Sequence, residues 1–319
     1  MPIVRFFTGL APEMAERLTQ HAPPDYEVTT HPSDLSDEKA IPLLQNADFL
    51  IVFGGKPSDA ALRSASKLKL IQLVSAGYEH MNLDLCKELG IPIANNGGAN
   101  SIDVAEHTIA LILGFYRRFI EQDPHVRNNR YRALNNGLHT FTIHGKTVGI
   151  IGLGNIGQRV AHLLNAFGAN ILYTDAQPAT SDIEQKLSAT YTTLEDLLSK
   201  SDIVTLHVPL LDSTRNLIGA KELALMQSTA VLVNTCRGGV VDQTALIETL
   251  QSNSILGAAL DVLESEPPDP DDPILKLDNV LLTPHSAGVT FDTWSRRGKF
   301  VFKNLQQVWR GHPPEALIS

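Results

Sequence analysis

The stretch from Val148 to Gly157, VGIIGLGNIG, constrains the fold more than any other part of the chain. An apolar strand runs into three glycines spaced G-x-G-x-x-G, a helix follows, and Asp175 ends the next apolar segment. Gly152 permits the tight turn, Gly154 lets a pyrophosphate approach the backbone, and Gly157 lets helix and strand pack closely. The free N–H groups at the helix N-terminus also favour phosphate. The pattern therefore predicts a dinucleotide-binding site.

Asp175 and the residues after it distinguish between the two nicotinamide dinucleotides. The carboxylate can accept hydrogen bonds from both ribose hydroxyls, and it would repel a ribose 2′-phosphate. Residues 176–178, Ala-Gln-Pro, supply no arginine or lysine to bind such a phosphate. The sequence therefore predicts NAD rather than NADP as the cofactor.

Strand-like and helical segments alternate along almost the whole chain, which predicts parallel sheets with helices on both faces. A first domain would contain the strands Ile3–Thr8, Tyr26–Thr30, Asp48–Phe53, Leu70–Val74 and Pro92–Ala94, with helices near 12–20, 37–45, 58–64 and 82–89. A longer helix is expected from about 100 to 118, and residues 122–145 read as polar and irregular.

A second domain would begin near Lys146 and contain six strands around the glycine turn, in the order typical of dinucleotide-binding sheets. These strands are Thr147–Gly152, Asn170–Asp175, Ile203–His207, Ala230–Asn234, Leu256–Val262 and Val280–Thr283. A final helix is expected near 291–309, and its docking site is open at this stage.

Composition excludes several classes of partner. The 319 residues carry a net charge of −9 with lysine and arginine scattered, so neither nucleic acid nor an anionic membrane is an expected partner. No segment reads as a signal peptide or a membrane span. The two cysteines do not indicate a disulfide framework, which predicts a cytoplasmic protein. We predict no metal site.

Three side chains suited to catalysis follow the last three predicted strands. They are Arg237, Glu266 and His285. Ligands of such sheets bind at the carboxyl ends of the strands, so the three residues become candidate catalytic groups. Each could instead be ordinary, as a surface ion pair, a solvated loop residue or one histidine among eleven. Their occurrence after successive strands of one domain favours the functional interpretation.

The trio suits hydride transfer to a 2-oxo acid. A guanidinium such as that of Arg237 matches a carboxylate with two parallel hydrogen bonds. An imidazolium such as that of His285 can protonate the developing alkoxide. A carboxylate such as that of Glu266 would fix the tautomer of the imidazole and favour its protonated form.

The chain resembles the D-isomer-specific 2-hydroxyacid dehydrogenases over nearly its whole length. The motifs that carry the resemblance are residues 75–80, 100–107, the glycine turn, 206–210, 234–242, 260–267 and 283–288. The resemblance implies two doubly wound parallel-sheet domains, with a Rossmann cofactor domain, 101–287, inserted into a flavodoxin-like substrate domain, 1–100 and 288–319. It also implies a site in the cleft between the domains and a homodimer formed through the cofactor domain.

The resemblance implies further site residues. Backbone N–H groups at Ala76 and Gly77 would form a small anion site for the substrate carboxylate, although an ordinary glycine turn is the alternative. Cysteine 236 would be a lining residue rather than a nucleophile. The remaining cofactor contacts would be Val104, Asn155, Ile156, His207, Pro209, Thr214, Thr235, Cys236, Asp261 and Gly288, together with Arg237 and His285.

The leading interpretation is an NAD-dependent enzyme that interconverts a small 2-oxo acid, such as glyoxylate, hydroxypyruvate or pyruvate, and its D-2-hydroxy acid. One alternative is a dinucleotide-sensing binding protein similar to transcriptional corepressors of this fold. The other is a related dehydrogenase acting on phosphoglycerate, phosphite or a bulky oxo acid. The roles of Lys56, Trp294, Arg296 and Arg297 stay open.

Overall fold

A computed structural model describes residues 1–131 and 137–318. The chain folds into two compact units, and each is built on one parallel sheet. The first unit consists of Met1–Asn100 and Val289–Ser319, and the second consists of Ser101–Gly288.

The first unit contains a five-stranded parallel sheet in the order β2-β1-β3-β4-β5, the doubly wound order of flavodoxin-like folds. Its middle strand is an uninterrupted apolar run because helices cover both faces of the sheet. The strands are β1 (Ile3–Thr8), β2 (Glu27–Pro32), β3 (Phe49–Phe53), β4 (Leu70–Leu73) and β5 (Ile93–Ala94). The helices between them are α1 (Pro12–Thr19), α2 (Asp37–Leu44), α3 (Asp59–Ser64) and α4 (Leu83–Glu88).

The last helix, α12 (Thr293–Trp309), covers one face of this first sheet. Its buried residues Trp294, Val301 and Leu305 pack with apolar side chains of β1, β3 and β4. The tail beyond it forms an antiparallel bridge from Leu317 to Ala94 at the sheet edge. The two ends of the chain therefore share one core.

The second unit contains a seven-stranded parallel sheet in the order β12-β11-β10-β9-β6-β7-β8. The prediction of six strands was wrong because β8 (Ala189–Tyr191) is a three-residue edge strand, too short to show a periodic pattern. The other strands are β6 (Thr147–Ile151), β7 (Asn170–Thr174), β9 (Ile203–Leu206), β10 (Val231–Asn234), β11 (Gly257–Leu260) and β12 (Val280–Leu282).

Helices cover both faces of the second sheet and enclose two apolar clusters. Apart from β8, the strands of this unit match the predicted ones to within about two residues, and the predicted helix 100–118 corresponds to α5. The helices of the unit are α5 (Ser101–Arg117), α6 (Phe119–Arg127), α7 (Asn155–Ala166), α8 (Ser181–Leu187), α9 (Leu194–Lys200), α10 (Ala220–Leu225) and α11 (Gln243–Gln251).

The helix α6 contradicts the prediction that residues 122–145 are irregular. It contains Pro124 and buries none of its side chains in the described chain, so no apolar face marks it in the sequence. Part of the predicted irregular segment, 132–136, lies outside the described residues. Across the two described ranges, no helix combines the length and the apolar character that crossing a membrane requires.

Candidate active site

The three glycines of the turn after β6 have three different environments. Gly152 has φ +93°, and a Cβ there would lie 2.6 Å from the carbonyl oxygen of His207. A Cβ at Gly157 would lie 2.1 Å from the carbonyl oxygen of Gly152, so only glycine permits this approach of α7 to the strand. At Gly154, in contrast, a Cβ would meet no atom within 4 Å. The backbone there is open to a ligand, as a pyrophosphate requires.

The carboxylate of Asp175 follows β7 and is oriented by the same turn. Its Oδ2 accepts a hydrogen bond from the Leu153 N–H at 2.7 Å, and its Oδ1 accepts one from the Ala176 N–H at 2.7 Å. Each carboxylate oxygen has two acceptor sites, so both retain capacity for a ribose hydroxyl. Asn155 and Ile156, the first residues of α7, have amide groups without an intrahelical partner. These residues fit a bound dinucleotide.

The loop after β9 contains the residues predicted to border adenosine. Thr214 Oγ1 donates to the carbonyl oxygen of Pro209 at 2.6 Å and accepts from the Leu211 N–H at 2.8 Å, which closes the loop on itself. His207 Nε2 forms a hydrogen bond with Thr205 Oγ1 at 3.0 Å. Part of His207 reaches solvent, but its environment lowers the pKa to about 3 by desolvation, so the imidazole is neutral near pH 7.

The turn after β10 carries Arg237. Asn234, a residue that the sequence analysis did not single out, accepts hydrogen bonds through Oδ1 from the Cys236 N–H at 3.0 Å and the Cys236 thiol at 3.1 Å. Its Nδ2 donates to the carbonyl oxygen of Arg237 at 2.9 Å. Burial raises the pKa of the Cys236 thiol to about 11. The thiol is therefore protonated at neutral pH and is not an activated nucleophile.

Thr235 and Val104 both lie in the interior beside this turn, and a short hydrogen-bonded chain connects them. Thr235 Oγ1 lies 3.1 Å from Thr108 Oγ1, and Thr108 Oγ1 donates to the carbonyl oxygen of Val104 at 2.7 Å. This chain ties α5 to the carboxyl end of β10.

Glu266 and His285 form a direct pair. His285 Nδ1 lies 2.6 Å from Glu266 Oε2, and Glu266 Oε1 accepts from the Leu263 N–H at 3.1 Å. About half of the His285 side chain and 38% of the Glu266 side chain are exposed, so the pair is accessible to a ligand. An ionised carboxylate only accepts hydrogen bonds, and therefore Nδ1 carries the hydrogen and Nε2 is available for a substrate.

Asp261 holds the loop that carries His285. Its buried carboxylate accepts from the hydroxyl of Thr283 at 2.6 Å and from the N–H groups of Ser286 and Ala287 at 2.9 Å each. The backbone carbonyl of Asp261 accepts the N–H of His285 at 2.7 Å, which helps to hold His285 at φ +51°. From the sequence, only a cofactor contact was predicted for Asp261, and its hydrogen bonds to this loop were not.

The three candidate catalytic residues follow three neighbouring strands, β10, β11 and β12, at one edge of the second sheet. A Cβ at Gly238, next to Arg237, would lie 1.9 Å from the carbonyl oxygen of Leu263. The turn that carries Arg237 therefore packs against Leu263, whose N–H donates to Glu266 Oε1. Gly288 lies in the loop between β12 and α12 and is the last residue of the second unit.

In the first unit, Ala76 and Gly77 lie in the turn after β4. The carbonyl of Ala76 accepts a hydrogen bond from Asn95 Nδ2 at 3.0 Å, and the carbonyl of Gly77 accepts one from Ser75 Oγ at 2.8 Å. In the described part of the chain, neither amide N–H of this pair donates to a protein acceptor. Two adjacent amides are thus available to an anion.

Two of the residues with open roles have structural explanations. Trp294 is 1% exposed and packs edge-on against Phe53 with ring centroids 5.2 Å apart, so it anchors α12 to the first sheet. Arg297 lies one turn further on, is buried, and donates from Nη1 to the carbonyl oxygen of Val74 at 3.2 Å. Lys56 is exposed to solvent.

Comparison with known proteins agrees with this geometry. Residues 109–287 match the family described as D-isomer specific 2-hydroxyacid dehydrogenase, NAD binding domain. The chain belongs to this family. It is therefore an oxidoreductase that uses NAD to interconvert 2-oxo and 2-hydroxy acids.

Individual relatives cover most of the chain. A glyoxylate reductase of Korarchaeum cryptofilum is 38% identical over 89% of this chain and 86% of its own length. A D-3-phosphoglycerate dehydrogenase of Methanocaldococcus jannaschii is 36% identical over 89% of this chain and 54% of its own length. The NAD-complexed crystal structure of a D-isomer specific 2-hydroxyacid dehydrogenase from Lactobacillus delbrueckii ssp. bulgaricus matches 99% of this chain and 100% of its own, at 27% identity and a TM-score of 0.83.

Proposed function

We propose that the protein reduces a small 2-oxo acid of the glyoxylate, hydroxypyruvate or pyruvate type to its D-2-hydroxy acid, with NADH as the reductant. The observation that carries the proposal is the contact of 2.6 Å between His285 Nδ1 and Glu266 Oε2. Arg237 follows β10, and His285 follows β12, which is separated from β10 in the sheet only by β11. The similarity to a glyoxylate reductase supports a small substrate.

His285 supplies the proton in this scheme. Glu266 accepts the hydrogen of Nδ1 and stabilises the imidazolium, so Nε2 donates its proton to the oxygen of the oxo group as that oxygen becomes an alkoxide. In the reverse direction, neutral Nε2 accepts the proton of the hydroxyl group. When bound, NADH supplies the hydride that reduces the carbonyl carbon.

Arg237 binds the carboxylate of the oxo acid in this scheme. A guanidinium forms two parallel hydrogen bonds to a carboxylate and holds it in one orientation. We also assign carboxylate binding to the amide groups of Ala76 and Gly77, since neither donates to a protein acceptor in the described part of the chain. Small and rigid substrates suit such recognition, because carboxylate contacts alone orient the neighbouring oxo group.

The cofactor site would use the glycine turn for the pyrophosphate and Asp175 for the ribose. We assign the adenosine side to His207, Pro209 and Thr214. The nicotinamide side is assigned to Val104, Thr235, Cys236, Asp261 and Gly288, with Arg237 and His285. Except for Val104, which lies on α5, these residues follow the carboxyl ends of strands of the second sheet, which supports their assignment.

A substrate panel tests the function. Purified protein would be mixed with NADH or NADPH and with glyoxylate, hydroxypyruvate or pyruvate, while the loss of reduced-cofactor absorbance is followed and the chirality of the product determined. We expect turnover with NADH and a D-product. No turnover of any of these acids, together with turnover of phosphoglycerate, phosphite or a bulky oxo acid, would favour the alternative dehydrogenase. Cofactor binding without any turnover would favour the dinucleotide-sensing alternative.

We also propose that the protein is a homodimer formed through the second unit. The helix α6 exposes Phe119, Ile120 and Val126 to 55%, 65% and 52%, and such an apolar cluster is typical of an interface. A second copy of the chain would cover it. Light scattering after gel filtration should give twice the mass of one chain, and Ile120→Asp should reduce that mass. A monomeric wild-type protein would refute the proposal.

A cytoplasmic location is supported by the two cysteines. Cys86 and Cys236 are both free and buried, as is common in proteins of a reducing compartment. Cell fractionation would test this, and enrichment in a secreted or membrane fraction would contradict it.

A further inference from the structure

Asn234 uses both ends of its side-chain amide on the turn that carries Arg237. The residue ends β10 and is 1% exposed. Its Oδ1 accepts from the N–H and thiol of Cys236, and its Nδ2 donates to the carbonyl oxygen of Arg237 at 2.9 Å. A side-chain amide that bonds to the backbone in this way folds the chain back directly after a strand.

The other side of the same turn is also constrained. Gly238 approaches the carbonyl oxygen of Leu263 so closely that an added Cβ would lie 1.9 Å from it. The N–H of Leu263 donates to Glu266 Oε1 at 3.1 Å. The backbone of Arg237 is therefore held by Asn234 on one side and by the segment that binds Glu266 on the other.

We propose that Asn234 is a positioning residue for Arg237. By holding the carbonyl of Arg237, the Asn234 amide determines the direction in which the guanidinium leaves the backbone. The inference rests on the proposed role of Arg237 in binding the substrate carboxylate. It goes beyond that role because it assigns the orientation of Arg237 to a residue with no substrate contact.

The chemistry of the alternatives explains why asparagine is needed here. Alanine removes the donor to Arg237 and both acceptor contacts to Cys236. Ionised aspartate keeps the acceptor for the Cys236 N–H but turns a second oxygen toward the Arg237 carbonyl, where two acceptors repel each other. Serine keeps one short acceptor and loses the Nδ2 donor. The three variants should therefore differ in activity.

Kinetics of Asn234 variants test the proposal. We expect Asn234→Ala to lower kcat/KM for the oxo acid by about 30- to 100-fold, since a misplaced group of this kind costs about that much. Most of the loss should lie in KM for the oxo acid, whereas the Kd for NADH should change much less, because the glycine turn and Asp175, assigned to the rest of the cofactor, are unaffected. The matched control is Asn279→Ala, which removes the hydrogen bond from Nδ2 to the carbonyl of Leu250 in the same unit. The control should keep wild-type kinetics.

A double-mutant cycle with Arg237→Ala separates positioning from a general structural role. If Asn234 acts through Arg237, then Asn234→Ala in the Arg237→Ala background should change kcat/KM less than about twofold, because the two effects share one interaction. Losses that multiply would overturn the inference. If Arg237→Ala itself leaves kcat/KM unchanged, the proposed role of Arg237 fails. If Arg237→Ala is impaired and Asn234→Ala is normal, only the inference fails.

Folding is monitored in parallel by circular dichroism and thermal melting. Should Asn234→Ala not fold, Asn234→Ser would replace it in the same cycle, because serine retains an oxygen near the Cys236 N–H. A loss for the serine variant that disappears in the Arg237→Ala background supports the inference. A loss that persists there refutes it.

Discussion

The two units of the molecule are both doubly wound parallel sheets, yet different groups follow their strands. In the second unit the strand ends lead to charged or titratable side chains, namely Asp175, His207, Arg237, Glu266 and His285. In the first unit four of the five strands lead to small residues, namely Gly9, Gly54, Gly55, Ala76, Gly77, Gly97 and Gly98. The first unit therefore offers mainly backbone groups to a ligand, whereas the second offers these side chains in addition to the backbone of the glycine turn after β6.

This difference suggests a division of labour. Backbone amides can bind an anion but cannot transfer a proton at neutral pH, whereas histidine and its carboxylate partner can. Changes in the second unit should therefore affect turnover or cofactor choice, and substrate affinity only around Arg237. In the first unit, substitutions of residues that hold the turn with the Ala76 and Gly77 amides should affect substrate affinity. The predictions below would break or sharpen this division.

The largest effect is expected from His285→Ala. The variant loses the group that donates the proton from Nε2, so turnover should fall by about 10³-fold, within the usual range for an acid–base residue. Binding of NADH, measured by fluorescence titration, should persist. The control is His162→Ala, an exposed histidine of the same unit. Turnover of His285→Ala within tenfold of wild type would mean that His285 is not the proton donor.

Asp175→Ala should change cofactor choice rather than chemistry. In the proposed cofactor site this carboxylate would repel a 2′-phosphate and accept hydrogen bonds from the ribose hydroxyls, so its loss should raise the NADPH-to-NADH ratio of kcat/KM by about tenfold. The ratio is measured with one oxo acid at saturation. An unchanged ratio, or a wild-type protein that already prefers NADPH, would contradict the assignment.

Asn95→Ala tests the first unit. Its Nδ2 donates to the carbonyl of Ala76 at 3.0 Å, and losing one such hydrogen bond should raise KM for the oxo acid by about three- to tenfold. Neither kcat nor NADH binding should change. Asn82→Ala, which removes the cap of α4 in the same unit, is the control. A loss confined to kcat would argue against a purely substrate-binding role for this unit.

The smallest effect concerns stability and pH. The folded-state pKa of His207 is lowered from 6.5 to about 3, so between those values only the unfolded chain binds the proton, and acid favours unfolding. In His207→Gln the free energy of unfolding should depend less on pH between about 6 and 4, by up to about 1.4 kcal/mol per pH unit. Urea titrations of both proteins at several pH values measure this difference. Parallel pH dependences for the two proteins would mean that His207 does not titrate in this way.

Long apolar elements were predictable from the sequence, and short or polar ones were not. The strand β3 reads as a strand because all five of its residues are apolar, and β10 because its first three residues are apolar and all four are buried. The strand β8 and the helix α6 lack such patterns, since one is three residues long and the other has no buried face. Their structure depends on neighbours and not on local periodicity.

The candidate site divides in a similar way. Glycine spacing predicted the roles of Gly152, Gly154 and Gly157 because each depends on the absence of a side chain, which is visible in the sequence. Asn234 and Asp261 were missed as organisers of their turns, since an asparagine or aspartate at the end of a strand has many possible hydrogen-bond partners. Only the folded turn shows which partner each one has.

The sequence by itself therefore determined the fold class and the cofactor motif and predicted the candidate catalytic side chains, because these follow from residue type, spacing and apolar pattern. The tertiary structure decided how those side chains are held. It places His285 Nδ1 2.6 Å from Glu266 Oε2, although the two residues are nineteen positions apart in the chain. It also shows that Asp261 binds the backbone of the loop that carries His285. Such hydrogen bonds depend on distances and angles between distant segments, which no local pattern encodes.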